Sequence, residues 1–422
     1  MNNQDIYKIM KSTPTYERWM PKITADVFKE AGYREFYVNA LPMLTDFFGL
    51  MVQVVLNKIK DVNVRIPDFY RAIVEEYSQQ NGGISQRIYN EIPKPISPQS
   101  FNLEEGKWVN DLVIRTPRQS QAFWKQNFFY ANLLTIKEEE LQKAFISDNG
   151  VAEFVAMKQA GLQKSYVIAK SKLAREVLAG AIKGDGVEAP ELKDTQIYNA
   201  ANYPDLQYID SDTPTEIQSA YRCFVNILDN IKGIMESSNI CGSFNCDGFE
   251  DANYAEDHIL LMRFDIYNKI KQYESFIGAG TGYLDKIIER LPFRLVLVDG
   301  LGKQIFVLKS DHSTQLKPVY KDNTFQYQIG WSVDGGVGEL SDCVPEEQID
   351  MIDDNPNTFA ALAQRGVIFT IEQSEYRVNV KQAFLGQYYN IIATQPNSQI
   401  SYDSHYNIIR FSKDGAETKN KK

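Results

Sequence analysis

Through the first two-thirds of the chain, apolar residues recur three and four positions apart. Beyond Pro292 they give way to short runs of β type. Leu44, Phe47, Phe48, Met51, Val52, Val55 and Ile59 predict a helix after Pro42, although Val52–Leu56 reads equally as a buried strand. Phe69, Tyr70, Ile73, Val74 and Tyr77 predict a second, short helix after Pro67. The pattern lapses over residues 78–106, where glycines and Pro93, Pro95 and Pro98 argue for an extended excursion. Residues 107–130 continue it, and such a span is too long for an ordinary connection, so it is functional or braced by a neighbour.

Thr135 and Glu138 have capping-box spacing ahead of a helix, and Asp148 or Asn149 can cap the next one. Val151, Phe154, Val155, Leu162, Tyr166, Val167, Leu173, Val177, Leu178 and Ile182 then predict one long helix stopped by Gly184. At about 1.5 Å per residue it would be roughly 50 Å long, unless Gly161 kinks or splits it. Residues 184–215 read as a polar loop. Further helices are expected over 216–237, 260–277 and 284–291. Strands are expected in 293–300, 303–311, 324–336, 366–381, 388–396 and 406–412, with turns at Asp299-Gly300 and Asp334-Gly335.

Composition narrows the classes. The chain has 422 residues, 43% hydrophobic and 24% charged, which suits a folded protein with a sizeable core. A formal net charge of −10 argues against a surface built to grip nucleic acid. Four cysteines form no disulfide framework at this length. The start lacks the apolar core of a signal peptide, and the most apolar stretch, after Pro42, is interrupted by Asp46, Gln53, Asn57 and Lys58, so no membrane span is expected.

The candidate chemistries are weak. The loop Gly278-Ala-Gly280-Thr-Gly282 lacks the Lys-Ser/Thr of a phosphate-binding loop and reads better as a helix-to-helix turn. Cys241, Cys246 and His258 lack the spacing of a zinc site, and the acids from Asp247 to Asp257 lack that of a calcium loop. Neither His258, His312 nor His405 lies near a nucleophile turn. No catalytic, cofactor-binding or metal-binding residue is therefore assigned, and the chain is not expected to be an enzyme. The most suggestive cluster is the arm with Lys107, Arg115, Arg118 and Lys125 among Trp108, Phe123, Trp124, Phe128 and Phe129. Arginine and large aromatics are enriched in interface cores. The alternatives are a strand pair packed on the chain's own core, or stacking on nucleic-acid bases.

The runs GISQRIYNEIPKP, VIRTPRQSQAFWKQNFFYANLLTIKEEELQKAF and SDNGVAEFV, in this order, resemble the major capsid proteins of short-tailed phages of the phi-29 type. The resemblance is carried by Ile84, Ile88 and Tyr89, then Phe129, Tyr130, Thr135 and Ile136, then Ala144 and Phe145, then Phe154 and Val155. It covers residues 83–182, and beyond them the likeness is one of layout.

The resemblance implies an α+β chain of the Hong Kong 97 capsid fold. Its expected parts are an N-terminal arm and first helix or strand (1–60), an E-loop region (61–130) and a peripheral domain with a long spine helix (131–240). An axial domain (241–390) and a peripheral return strand with the C-terminal tail (391–422) would follow. The helix after Pro67 has no counterpart in the family, and neither an Ig-like C-terminal domain nor a cleaved helical pro-region is expected.

The implied function is self-assembly, as hexamers and pentamers, into the icosahedral head shell around the double-stranded DNA of a tailed phage. Implied partners are a scaffolding protein, a portal at one vertex, and packaged DNA held without sequence specificity, with no membrane. The protein would be made in the host bacterial cytoplasm and end in the virion. Arg115, Arg118 and Lys125 are the expected inter-subunit charge contacts, with Trp124 and Phe128 as apolar anchors. The alternatives are another virion component (portal, tail or receptor-binding protein) or a carbohydrate-active hydrolase.

Overall fold

The structure, a computed structural model, describes residues 66–78, 84–92, 117–125, 128–137, 140, 150–184, 191–238, 242–252, 254–274, 291–312, 314–321, 324–329, 344–372, 377–383 and 388–414. In chain order the elements are α1 (Asp68–Ile73), β1 (Val74–Ser78), β2 (Ile84–Asn90), β3 (Gln119–Lys125), β4 (Phe128–Lys137), α2 (Gly150–Lys183), β5 (Ile197–Tyr198) and α3 (Pro214–Ser238). They continue with β6 (His258–Arg263), α4 (Phe264–Glu274), β7 (Arg294–Val298), β8 (Gln304–Leu308), β9 (Gln315–Lys321), β10 (Thr324–Ile329), β11 (Ile349–Asp353) and β12 (Thr358–Gln364). The last four are β13 (Ile368–Glu372), β14 (Arg377–Ala383), β15 (Tyr388–Tyr402) and β16 (Ile408–Ser412).

A central sheet runs β5-β16-β12-β6-β7 and mixes parallel with antiparallel pairs. Both of its faces are covered. Leu260, Met262, Ala360, Leu362, Ile409 and Phe411 meet the apolar stripe of α3 (Ile217, Phe224, Leu228, Ile231) and Ile266 and Ile270 of α4. The alternate residues Ile259, Leu261, Ala361, Ala363 and Ile408 meet Ala174, Leu178, Ala181 and Ile182 of α2, together with α1. Fully buried Phe411 is the hub of the first face, with ring centroids 5.1 Å from Phe224 and 5.6 Å from Tyr198.

A second sheet runs β1-β13-β15-β14, with β4 also paired to β15. The N-terminal half of α2 lies along it: the Tyr130 and Tyr166 rings meet edge to face at 5.0 Å, and Asn132 donates to Ser165 at 2.9 Å. Thus α2 crosses from one sheet to the other. A third, antiparallel sheet runs β10-β9-β8-β11. Its turn 299–303 is fastened to α2 by Arg175, 2.7 Å from Asp299. Asp353 accepts the Leu301 N–H at 3.0 Å there, and a Cβ at Gly302 would collide with Asp353, Asp354 and the Asn355 backbone.

The long helix is present as α2, and Gly161 does not break it: the residue lies on an exposed turn, with nothing near where a Cβ would be. Gly184 follows at φ +67°, the left-handed stop the sequence predicts. The helix over 216–237 is α3. Several expectations change. The helix after Pro67 ends at Ile73, because Val74 onward pairs in parallel with β13 from Ile368. The helix over 260–277 is a strand followed by a helix: His258–Met262 are all buried between two helical layers, where a continuous apolar run forms a strand. Thr135 is not a helix cap but a β4 residue, and its Oγ1 donates to Asn390 at 2.8 Å.

The run 366–381 is two strands, β13 and β14, and β15 extends past Pro396 to Tyr402. The strands β9, β11 and β12 fall outside the expected set. The helices expected after Pro42 and over 284–291, the Gly278–Gly282 loop and the Asp334-Gly335 turn lie outside the described residues.

His258 is fully buried and neutral. Asn407 donates to its Nε2 at 3.1 Å, so Nδ1 carries the proton, 2.9 Å from the Tyr254 carbonyl oxygen. Burial outweighs the nearby acceptor and Asp257, and pushes its pKa down to about 4.

Candidate functional site

The strands β2 and β3 form an antiparallel ribbon of their own, with Arg87 opposite Ala122 and Tyr89 opposite Ser120. Side chains alternate between its two faces. On one face Gln86, Ile88, Asn90, Gln119, Gln121 and Phe123 point away from the subunit, with Ile88 56% and Phe123 61% exposed. The other face carries Arg87, Tyr89 and Trp124 and packs onto the body.

Four side chains, Arg87, Tyr89, Trp124 and Arg118, make the contacts to the body. Arg87 Nη1 lies 3.0 Å from Asp403 Oδ2, and the Arg87 guanidinium sits over the rings of Tyr77 at 4.5 Å and Phe369 at 5.1 Å. Tyr89 donates its hydroxyl to the same Asp403 oxygen, and its ring stacks on His405 at 3.6 Å, 13° from parallel. Trp124 meets Phe369 edge-on at 4.8 Å. Arg118, just before β3, lies 4.9 Å over the Phe249 ring.

Asp403 is fully buried in the turn between β15 and β16. Burial alone would raise its pKa, but bonds from His405, Tyr89 and Arg87 outweigh it and hold the carboxyl below its usual range. The loop 242–252 completes the seat. Asn245 bonds both the N–H and the carbonyl of Phe249, at 3.1 and 2.8 Å, and Gln196 ties the loop to β16 through the Phe244 and Ile408 carbonyls.

Of the five residues singled out in the arm, Trp124 and Arg118 make the intrachain contacts just described. Lys125 stands opposite Ile84 in the ribbon, and Phe128 opposite Ser398 at the start of β4. Arg115 lies outside the described residues. The residues that seat the ribbon, Arg87, Tyr89, Asp403 and His405, were not singled out as a site. The available signal was the alternation in QRIYN, which places Arg87 and Tyr89 on one face and Ile88 on the other.

Cys246 Sγ lies 3.3 Å from the Tyr402 hydroxyl, and both His258 nitrogens are occupied by protein groups. Among the described residues no cluster of three His, Cys, Asp or Glu could hold a metal, and no helix is long and apolar enough to cross a membrane.

A family model described as Phi29-like phage major capsid protein matches residues 51–412. The chain belongs to this family. As a Phi29-like phage major capsid protein it forms the capsid shell from copies of itself and resides in the virion. Among the open alternatives this selects the shell protein over another virion component such as a portal, tail or receptor-binding protein.

No curated protein matches the chain in sequence. Among solved structures it is similar to a chain of "Structure of head fiber and inner core protein gp22 of native bacteriophage P68", at 10% identity and TM-score 0.48 over 84% of this chain and 86% of that one. It is similar to a chain of the capsid of Staphylococcus phage Andhra, at 11% identity and TM-score 0.48 over 84% and 86%. A chain of the capsid of cyanophage P-SCSP1u gives 9% identity and TM-score 0.45 over 84% and 91%.

Proposed function

We propose that this capsid protein builds an icosahedral shell of the Hong Kong 97 type, in hexamers and pentamers, around double-stranded DNA. In this reading the β2–β3 ribbon is the E-loop and α2 is the spine helix. The α2–β15 side is peripheral and the α3–α4 side axial. The observation that carries the reading is the ribbon itself: one face is pinned to its own subunit, and the other offers Ile88 and Phe123 to solvent. An isolated two-stranded ribbon is marginal in water, and apolar side chains held outward on one suit burial against another copy. In this reading Arg115, Arg118 and Lys125 supply inter-subunit charge contacts around that junction, with Trp124 and Phe128 as its apolar anchors. A scaffolding protein, a portal at one vertex and packaged DNA complete the partners, and the acidic balance limits adhesion of DNA to the wall. The subunit is made in the host cytoplasm and carries no catalytic role.

The charge contacts have a direct test. Arg115→Glu with Arg118→Glu should leave circular dichroism and the melting curve near those of the wild type, while particle yield falls at least about tenfold. Wild-type particle yield from the double variant would remove these arginines from the interface.

A further inference from the structure

The exposed side of α2 carries residues that the subunit itself does not use. Met157, Gly161, Lys164, Ile168 and Lys172 are all exposed, Met157 by 61% and Ile168 by 52%. At 3.6 residues per turn they fall within about 80° of the helix circumference. Leu162, Lys170 and Ala174 are buried on the other side. A helix that only roofs its own subunit turns polar residues outward. Here two large apolar side chains stand in water, about 16 Å apart along the axis. Gly161 lies between them, with nothing near where a Cβ would be.

The charge on this stretch has one sign. No acidic residue lies between Glu153 and Glu176, against five basic ones, in a chain whose net charge is −10. Three of the five are committed within the subunit: Lys158 to Glu140 at 3.0 Å, Lys170 to Glu76 at 2.7 Å and Arg175 to Asp299 at 2.7 Å. Lys164 and Lys172 stay exposed and have no such carboxylate among the described residues. The mixture selects the occupant. Phosphate contacts would engage the lysines and leave Met157 and Ile168 idle, so nucleic acid fits only half of the stripe. The steps of four, three and four residues from Met157 through Gly161 and Lys164 to Ile168 are those of a helix–helix seam, and Gly161 lets a partner approach the backbone closely. Free lysines beside that seam favour carboxylates on the partner.

We infer that this side of α2 docks an acidic amphipathic helix of another protein. The apolar residues of that helix sit on Met157 and Ile168 across Gly161, and its carboxylates pair with Lys164 and Lys172. The surface shares no residue with the β2–β3 ribbon, so it stands whether or not the ribbon's outer face meets another copy.

Fluorescence anisotropy on the full-length, unassembled chain tests it. The probe is a labelled synthetic peptide with glutamates flanking a single leucine stripe, and the control has the same composition in scrambled order. The ordered peptide should bind with a Kd of about 10 µM, at least about tenfold tighter than the control. Met157→Ser with Ile168→Ser should weaken it at least about tenfold. Lys164→Glu with Lys172→Glu should do the same, and should instead bind the peptide in which lysines replace the glutamates. Equal affinity of the wild type for ordered and scrambled peptides overturns the inference even if neither variant folds. Full affinity in either folded variant also overturns it, and if the serine variant then fails to form particles the stripe is a contact between copies. A double-stranded DNA oligonucleotide that binds more tightly than the peptide and is indifferent to the serine substitutions would make the stripe a nucleic-acid surface instead.

Discussion

Replacing both Ile88 and Phe123 with aspartate is expected to abolish shell formation while leaving the subunit folded. Both residues lie on the outward face of the ribbon, more than half exposed, and neither belongs to the two buried clusters. Exposed substitutions of this kind usually change stability by only about 0.5 kcal/mol. Their effect on assembly is of another size. A carboxylate carried into a subunit junction without a partner costs several kcal/mol, and every copy in a shell would carry two. The concentration needed for assembly should rise at least about a hundredfold, which corresponds to roughly 3 kcal/mol per subunit. Sedimentation velocity gives the particle fraction and urea unfolding checks the fold. Particles at wild-type concentration would show that the outward face is not an assembly surface.

Acid should weaken the subunit through His258. Its pKa is 6.5 as a free side chain and about 4 in the fold, because burial disfavours the cation. Between these values the unfolded chain holds a proton that the native chain does not, so stability falls as pH drops through that window. The full loss is about 3 kcal/mol by pH 4, and stability above pH 6.5 is untouched by this group. Asp403 adds little there, since a depressed carboxylate gives up its contribution only below its ordinary value of 3.8. Urea midpoints of unassembled subunits should decline steadily from pH 6.5 to 4.5, and His258→Gln should flatten that decline despite a lower starting stability. An unchanged slope in the variant would assign the acid sensitivity to other groups.

The elements legible in the sequence are those with one wet face. The helix α3 shows its period because one side meets the core and the other meets water. The strands β6 and β12 are buried on both faces, so HILLMR and TFAALAQ carry no alternation. From spacing alone the first continues into the helical pattern of α4, and the second gives no strand signal. Val74 illustrates a different limit: its helical spacing after Pro67 is real, but pairing with Ile368 far along the chain overrides it.

The site divides in the same way. The aromatic and basic character of residues 107–130 marks the ribbon as an interface candidate, and β3 alternation separates Phe123 from Trp124. The seat could not be read locally. Arg87 and Asp403 are 316 residues apart in sequence, and only the fold brings them together with His405 and Asp247. Trp124, expected to anchor a neighbour, meets Phe369 of its own chain, so the outward apolar positions are Ile88 and Phe123.

The central claim is that this chain alone carries the geometry of a shell whose copies cover one another's ribbons. Cryo-electron microscopy of assembled wild-type protein tests it most directly. The account predicts closed particles of hexamers and pentamers, with density from a second subunit over Ile88 and Phe123. Closed shells in which that face stays bare, or a chain that never assembles with or without a scaffolding protein, would contradict it.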